Sequence, residues 1–373
     1  MIYLDNAATT LHKPASVFRA AMQAARSASS PGRGGHPWAV RAAEITFACR
    51  REAAAMFHVP DPEQVVLTFN ATHGLNIAIR SLVSGGDRVV ISGYEHNAVL
   101  RPLHALGAEI CVAASPLFDR GAAIAAFEAA LERPAAAVIC THVSNVFGNI
   151  LPVREIAARC RAAGVPFVLD AAQSAGALEI DFAGLGAAFA AMPGHKGLYG
   201  PQGTGLLLCG AQAHPLLYGG TGSASESRDM PEFLPDRLEA GTHNTPGIAG
   251  LLAGMRFVRK ETPARILSAE RQLAERLTAG LRRMPDIVVF ASDDPAERTG
   301  VVSFVSEKMG AEEIGAALAE RGIGVRCGLH CAPLAHETAG TLRSGTVRIS
   351  FSAFSRPDEV DELLHVLRGI LRR

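Results

Sequence analysis

Val165-Pro-Phe-Val-Leu-Asp-Ala-Ala-Gln173, followed at Ala191-Met-Pro-Gly-His-Lys-Gly-Leu-Tyr-Gly200, decides how this chain is read. The apolar run 165–169 is the length of a buried strand, and it ends in a carboxylate, Asp170. Lys196 lies in a glycine-rich turn further along. Upstream, 153–163 has helical spacing, and Gly164 is a natural C-terminal stop before the strand. The same alternation extends outward. Val65-Val-Leu-Thr-Phe69, Arg88-Val-Val-Ile-Ser92 and Ala136-Ala-Val-Ile-Cys140 read as buried strands, and 72–80 as a helix. Strands alternating with helices need crossover connections, so the sheet is expected to be mainly parallel.

The pattern changes after Gly241-Thr-His-Asn-Thr-Pro-Gly247. Residues 248–260 and 264–283 read as long helices, with Pro263 well placed at the start of the second. Strands are expected at 286–290, 299–304 and 346–350, and helices at 311–321 and 357–372. The division expected is a large domain over 15–254 and a smaller α/β domain from 1–14 and 255–373. The alanine-rich stretch 121–137 favours helix. Pro31-Gly-Arg-Gly-Gly-His36 reads as an entrance loop or a simple turn cluster. Gly219-Gly-Thr-Gly222 suggests close backbone approach, at a subunit contact.

Composition narrows the class. The 373 residues are 48% hydrophobic and include 37 glycines, which suits a compact α/β protein with a sizeable core. Lys+Arg and Asp+Glu are both 36. A balanced charge gives no support for a nucleic-acid or membrane partner. Seven scattered cysteines in a chain this long argue against a disulfide framework and for a reducing, cytoplasmic compartment. Met1-Ile-Tyr-Leu-Asp5 lacks the features of a signal peptide, and no stretch is long and apolar enough to span a bilayer.

A strand-tip aspartate followed by a lysine in a glycine-rich turn is what pyridoxal phosphate requires. The lysine condenses with the aldehyde, and the aspartate pairs with the protonated pyridine nitrogen so that the ring accepts electrons. A salt-bridge aspartate and a solvated lysine are the alternative. Asn70, Ala71 and Thr72, at the onset of the 72–80 helix, form a plausible phosphate cradle from backbone N–H groups and the Thr72 hydroxyl. A plain helix cap uses the same atoms.

Asp170-Ala-Ala-Gln173 and Gly194-His-Lys196 resemble fold-type I pyridoxal phosphate enzymes of the class V aminotransferase group, and more narrowly cysteine desulfurases. Tyr3-Leu-Asp-Asn-Ala-Ala-Thr9, Glu95-His-Asn-Ala98, Ser144-Asn145, Arg326-Cys-Gly-Leu-His-Cys331 and Arg348 extend the likeness over nearly the whole chain. The resemblance implies a large domain with a mainly parallel, seven-stranded-type sheet, a small C-terminal α/β domain and a homodimer. His96 would stack on the ring, with a nitrogen able to take part in proton transfer. Asn145 and Gln173 would bond the ring's phenolic oxygen or neighbouring substrate groups. His195 would add to the phosphate site, and Thr242 would be contributed across the dimer. The family commonly has a hydroxyl residue three before the lysine. Here that position is Pro193, with neither hydroxyl nor N–H.

The 326–331 segment selects the reaction. Cys331 matches the desulfurase nucleophile, in a short loop like the type II enzymes. The reaction implied takes L-cysteine to L-alanine and leaves a persulfide on Cys331 for a sulfur-acceptor protein. His330 and nearby arginines would favour the thiolate. Cys327 is either a bystander or a trap for the persulfide as a disulfide. Arg348 would fork the substrate's α-carboxylate, with Arg326 a second cation. Selenocysteine lyase, or another class V lyase or aminotransferase, shares these parts. A different class of reading places zinc on Cys327, His330, Cys331 and His336, although the spacing is not a standard knuckle; the expectation is no metal.

Overall fold

The computed structural model describes residues 1–31 and 34–372. Gly32 and Arg33 of the expected 31–36 loop therefore lie outside the described residues. Seven strands form the large sheet, in the order Val65–Thr68, Gly205–Cys209, Phe189–Pro193, Phe167–Asp170, Ala137–Thr141, Arg88–Ser92, Glu109–Ala113. Gly205–Cys209 pairs antiparallel with both neighbours, and every other adjacent pair is parallel. The mainly parallel sheet expected from the sequence is present.

Both faces of this sheet are covered. Val89, Ile91, Ile139, Val168 and Ala191 pack into one apolar cluster. Val90, Val138, Cys140, Leu169 and Met192 pack into another. Successive side chains of a strand point to opposite faces, so a sheet buried on both sides needs unbroken apolar runs. The two central strands Ala137–Thr141 and Phe167–Asp170 are buried along their whole length.

A second, antiparallel sheet has the order Arg326–Gly328, Thr346–Ser350, Val301–Ser306, Ile287–Phe290. Helices Pro263–Leu281, Ala311–Ala319 and Pro357–Leu371 share an apolar cluster with it. Ile2–Tyr3 pairs in parallel with Ile323–Gly324. Helix Thr245–Glu261 runs without a break through residues 254 and 255. The chain turns at Thr262, whose φ is +65° and whose hydroxyl caps the next helix through the Arg265 N–H.

The sequence reading lacked three strands of the large sheet. Phe189-Ala-Ala-Met-Pro193 is alanine-rich and ends in proline, a composition with weak strand preference. Burial between two neighbouring strands makes it a strand.

Candidate active site

Four parallel strands end at one edge of the large sheet, and each delivers a residue there. Arg88–Ser92 leads to His96, Ala137–Thr141 to Asn145, Phe167–Asp170 to Asp170 and Phe189–Pro193 to Lys196. The carboxyl edge of a parallel sheet is where α/β folds bind ligands. A cavity of about 310 Å³ opens at this edge. It gathers Lys196, Asp170, Gln173, His96, Asn145, His195, Ala71 and Thr72, with Arg326, Cys331 and Arg348 from the antiparallel sheet's side. Thr242 is not among them. It lines a separate, open cavity of about 660 Å³ with Phe47, Arg50 and Glu239.

Glycine fixes the path of the Lys196 turn. Gly176 has φ +89°, and a Cβ there would stand 2.1 Å from the Gly197 carbonyl oxygen. A Cβ on Gly197 would meet the Ala175 carbonyl oxygen at 2.4 Å. The turn carrying Lys196 thus crosses the turn after Asp170 backbone to backbone, which brings the two functional side chains into one cavity. The N-terminal segment braces the lysine turn from outside. Thr10 N–H and hydroxyl both donate to the His195 carbonyl, at 3.1 and 3.0 Å.

Electrostatics follow from burial. Desolvation lowers the Lys196 ammonium to about 8, against an opposing pull from Asp170. Burial raises the Asp170 carboxyl above its ordinary value, partly offset by the Ala172 N–H and Lys196. The Ala172 N–H donates to Asp170 Oδ1 at 2.8 Å. His96 caps helix Asn97–Leu106, its Nδ1 accepting the Ala98 N–H at 2.9 Å. That bond requires a bare Nδ1, so the ring proton is on Nε2. Burial and the cations around it, Lys196 first, lower His96 to about 4. His195 is likewise lowered to about 4, by burial and then by Lys196 and Lys13, and its buried Nδ1 has no partner among the described residues.

Helix Ala71–Leu82 starts at the cavity. Its cap residue Asn70 accepts the His73 N–H at 2.9 Å. Among the described residues the Ala71 and Thr72 N–H groups have no hydrogen-bond partner. Gln173 donates to the Ala7 carbonyl at 3.0 Å. Asn145 Nδ2 donates to the His330 carbonyl at 2.8 Å, and its buried Oδ1 has no partner among the described residues.

The thiol loop is held in an unusual conformation. His330 and Cys331 have φ of +50° and +58°. Two successive non-glycine residues in the left-handed region cost on the order of 1–3 kcal/mol each. Asn145 on the His330 carbonyl and the Asn97 N–H on the Cys331 carbonyl, at 2.8 Å, fix this shape. It leaves Cys331 exposed, with Arg326 Nη2 at 3.9 Å from Sγ.

One sequence expectation for this loop changes, and two of the alternatives left open for it find no support in the geometry. His330 does not supply positive charge to the thiol. Its Nε2 lies 3.0 Å from the Thr346 hydroxyl and 3.2 Å from the Thr346 carbonyl, and burial lowers the ring to about 2. Cys327 does not reach toward Cys331, because its Sγ is tucked against Gly315, where a Cβ would be 2.4 Å away. Burial raises this thiol to about 11. The zinc set does not assemble either. His336 is engaged with the Thr341 hydroxyl at 2.7 Å, and no three His, Cys, Asp or Glu side chains converge among the described residues.

Arg348 is buried and has an ion-pair partner, Asp5, which the sequence reading did not identify. Arg348 is 2% exposed, and its Nη2 donates to Asp5 Oδ1 at 2.6 Å. The Tyr3-Leu-Asp5 segment carried the only signal, and 343 residues separate the two partners.

The comparisons agree with this geometry. The family model described as Aminotransferase class-V matches residues 2–363. A probable cysteine desulfurase of Methanothermobacter thermautotrophicus is 32% identical over 99% of this chain and 94% of its own length. A cysteine desulfurase of Cronobacter sakazakii is 32% identical over 100% of this chain and 93% of its own. Among solved structures, the apo cysteine desulfurase of Thermococcus onnurineus superposes with a TM-score of 0.91 at 31% identity, covering 100% of this chain and 94% of that one. The Escherichia coli cysteine desulfurase CsdA, in an S-sulfonic acid form, gives 0.87 at 28% identity, covering 99% and 94%. With its whole length matched and its sheet order and lysine turn in place, the chain belongs to the class-V aminotransferase family.

Proposed function

We propose that the chain is a cysteine desulfurase that uses pyridoxal phosphate. One observation carries the reading. The exposed Cys331 thiol opens on the same cavity as Lys196, Asp170 and His96. A transaminase has no use for that thiol.

The residues fit the cofactor. Lys196 offers an amine with a lowered pKa, and Asp170 a buried carboxylate suited to a protonated ring nitrogen. The free N–H groups of Ala71 and Thr72, the Thr72 hydroxyl and His195 suit the phosphate, with no contribution from Pro193. When bound, the cofactor withdraws electrons from the substrate and loosens its Cβ–S bond.

The chain's own groups do the rest. Arg348 and Arg326 hold the substrate carboxylate. His96 presents a flat neutral face and a fixed Nε2–H. Cys331, with Arg326 Nη2 3.9 Å from its sulfur, attacks the substrate sulfur as the thiolate. An S–S bond forms as the Cβ–S bond breaks, and the electron pair stays on Cβ. Lys196 Nζ delivers the proton that completes alanine. One cysteine and the Cys331 thiol become one alanine and a Cys331 persulfide, so no external oxidant or reductant enters.

Several companion readings rest on particular observations. The exposed side chains of Phe18, Met22, Trp38 and Phe47 support a homodimer, with Thr242 reaching the partner's phosphate site. The exposed position of Cys331 suits delivery of sulfur to an acceptor protein. Seven unpaired cysteines support a reducing, cytoplasmic setting; among the described residues no helix is long and apolar enough to cross a membrane. The two-domain division, with 1–14 in the small domain, is best drawn at Thr262, where the long helix ends. Alanine formation from L-cysteine with a reducing thiol tests the activity. Wild type is expected to produce it and Cys331→Ala to lose it while retaining the cofactor. Equal alanine from both would move the assignment to another class-V lyase.

A further inference from the structure

The strand Arg88–Ser92 has to leave the sheet to bring His96 to the cavity, and Glu95 supplies what the sheet loses there. The register of this strand with Ala137–Thr141 ends at Ile91 opposite Ile139. Beyond that point the central strand still has N–H groups to satisfy, and they alternate in direction. The His142 N–H donates to the Asp170 carbonyl at 2.9 Å. The Thr141 N–H faces the departing strand, and Glu95 Oε1 accepts it at 2.7 Å, in the place of a backbone carbonyl. The Ser92 hydroxyl donates to the same Oε1, and its oxygen accepts the Tyr94 N–H at 3.2 Å. From the other side the Thr338 hydroxyl donates to the Gly93 carbonyl at 2.7 Å. The turn that leads to His96 is therefore fastened on both sides, on one of them by a single carboxyl group.

We propose that Glu95 is a positioning residue for His96: its side chain ends the hydrogen-bond ladder of the departing strand and so fixes the imidazole at the cavity. Glu95 works as an acceptor and not as a charge. It is wholly buried, and its Oε2 has no partner among the described residues. The titratable groups acting on it or acted on by it are Asp170 and Cys140, and neither is a cation. A buried carboxyl group beside a carboxylate, with no cation to pair with, keeps its proton. Burial accordingly raises Glu95 to about 8. A glutamine would present the same accepting oxygen without a charge. The inference rests on the proposed role of His96.

The test compares Glu95→Gln, Glu95→Asp and Glu95→Ala in the cofactor-loaded protein. The first readout is the His96 ring, followed by NMR in protein carrying labelled histidine, with His96→Ala to assign its signal. In wild type and Glu95→Gln the ring should stay neutral down to about 4. In Glu95→Ala, and in Glu95→Asp with its reach to Thr141 shortened, it should titrate nearer its ordinary 6.5 as it leaves its buried place among cations. A defect elsewhere in the fold would not move it. The aspartate variant also serves if the alanine one does not fold. The second readout is alanine formation from L-cysteine. Glu95→Ala should lower kcat by about tenfold or more and leave KM within about twofold, while Glu95→Gln stays within about threefold of wild type. In the His96→Ala background the same change should cost nothing further. A His96 ring that stays neutral down to about 4 in both shortened variants would overturn the proposal. So would a Glu95→Gln variant that behaves like Glu95→Ala, or losses from Glu95→Ala and His96→Ala that simply add. No alanine from wild type would count against the desulfurase reading and leave the NMR test of Glu95 intact.

Discussion

Burial lowers the Lys196 ammonium from 10.5 to about 8, and only the neutral amine attacks an aldehyde. The rate of pyridoxal phosphate uptake by cofactor-free protein should therefore rise with pH and level off just above about 8. A rate still climbing toward 10.5 would mean that the amine is solvated as in the unfolded chain. His96 makes a different prediction. It is neutral above about 4, so the pH–rate profile should contain no His96 step near neutrality. His96→Ala should lower kcat by roughly 10²- to 10⁴-fold, the range for loss of a positioned proton-transfer group. It also removes a helix cap, at about 1 kcal/mol. Thermal unfolding measured beside kcat separates the two effects. At this scale Lys196 and Asp170 are legible in the sequence because each closes a local pattern, a strand tip or a glycine turn. The neutral state of His330 is not, since it comes from burial in the assembled fold and from Arg348 nearby.

Two short elements set the active geometry, the turn after Asp170 and the turn bearing Lys196. Their crossing leaves no room at Gly176, whose φ is also one that side chains rarely adopt. Gly176→Ala should destabilise the protein by several kcal/mol, combining backbone strain with a clash that must push the lysine turn away. A melting temperature within a degree or so of wild type, with cofactor uptake intact, would contradict this close crossing. Elements with strong periodicity were readable beforehand. The helix Val153–Ala163 and the strand Arg88–Ser92 fall on the residues expected from the sequence. Phe189–Pro193 was not readable, because alanine and proline acquire strand geometry there only through their two neighbours. The strand expected at 165–169 is Phe167–Asp170, so the aspartate is the last strand residue and its side chain is held by the sheet.

Across the whole molecule the first ten residues tie the two sheets to the active site. Ile2 and Tyr3 pair with Ile323 and Gly324, Asp5 with Arg348, and Thr9 and Thr10 with the lysine turn. Removing residues 1–10 should weaken both cofactor retention and substrate binding, read as faster cofactor loss on dialysis and a raised KM. Unchanged values for both would show that the segment is only a lid on the small sheet. Such long-range ties have no local signature, which is why Asp5 escaped sequence reasoning while the resemblance still included its segment. Thr242 stands apart from the cavity of its own chain, so the dimer that the resemblance implies is needed to bring it to a phosphate. The central claim is that Cys331 receives the sulfur. The most direct measurement is mass spectrometry of peptides from holoenzyme given L-cysteine without reductant, with free thiols and persulfides trapped by an alkylating agent. One extra sulfur atom on the Cys331 peptide, and none on the Cys327 side chain, is the predicted result. Alanine formed in amounts matching the enzyme, with Cys331 unmodified, would contradict the account.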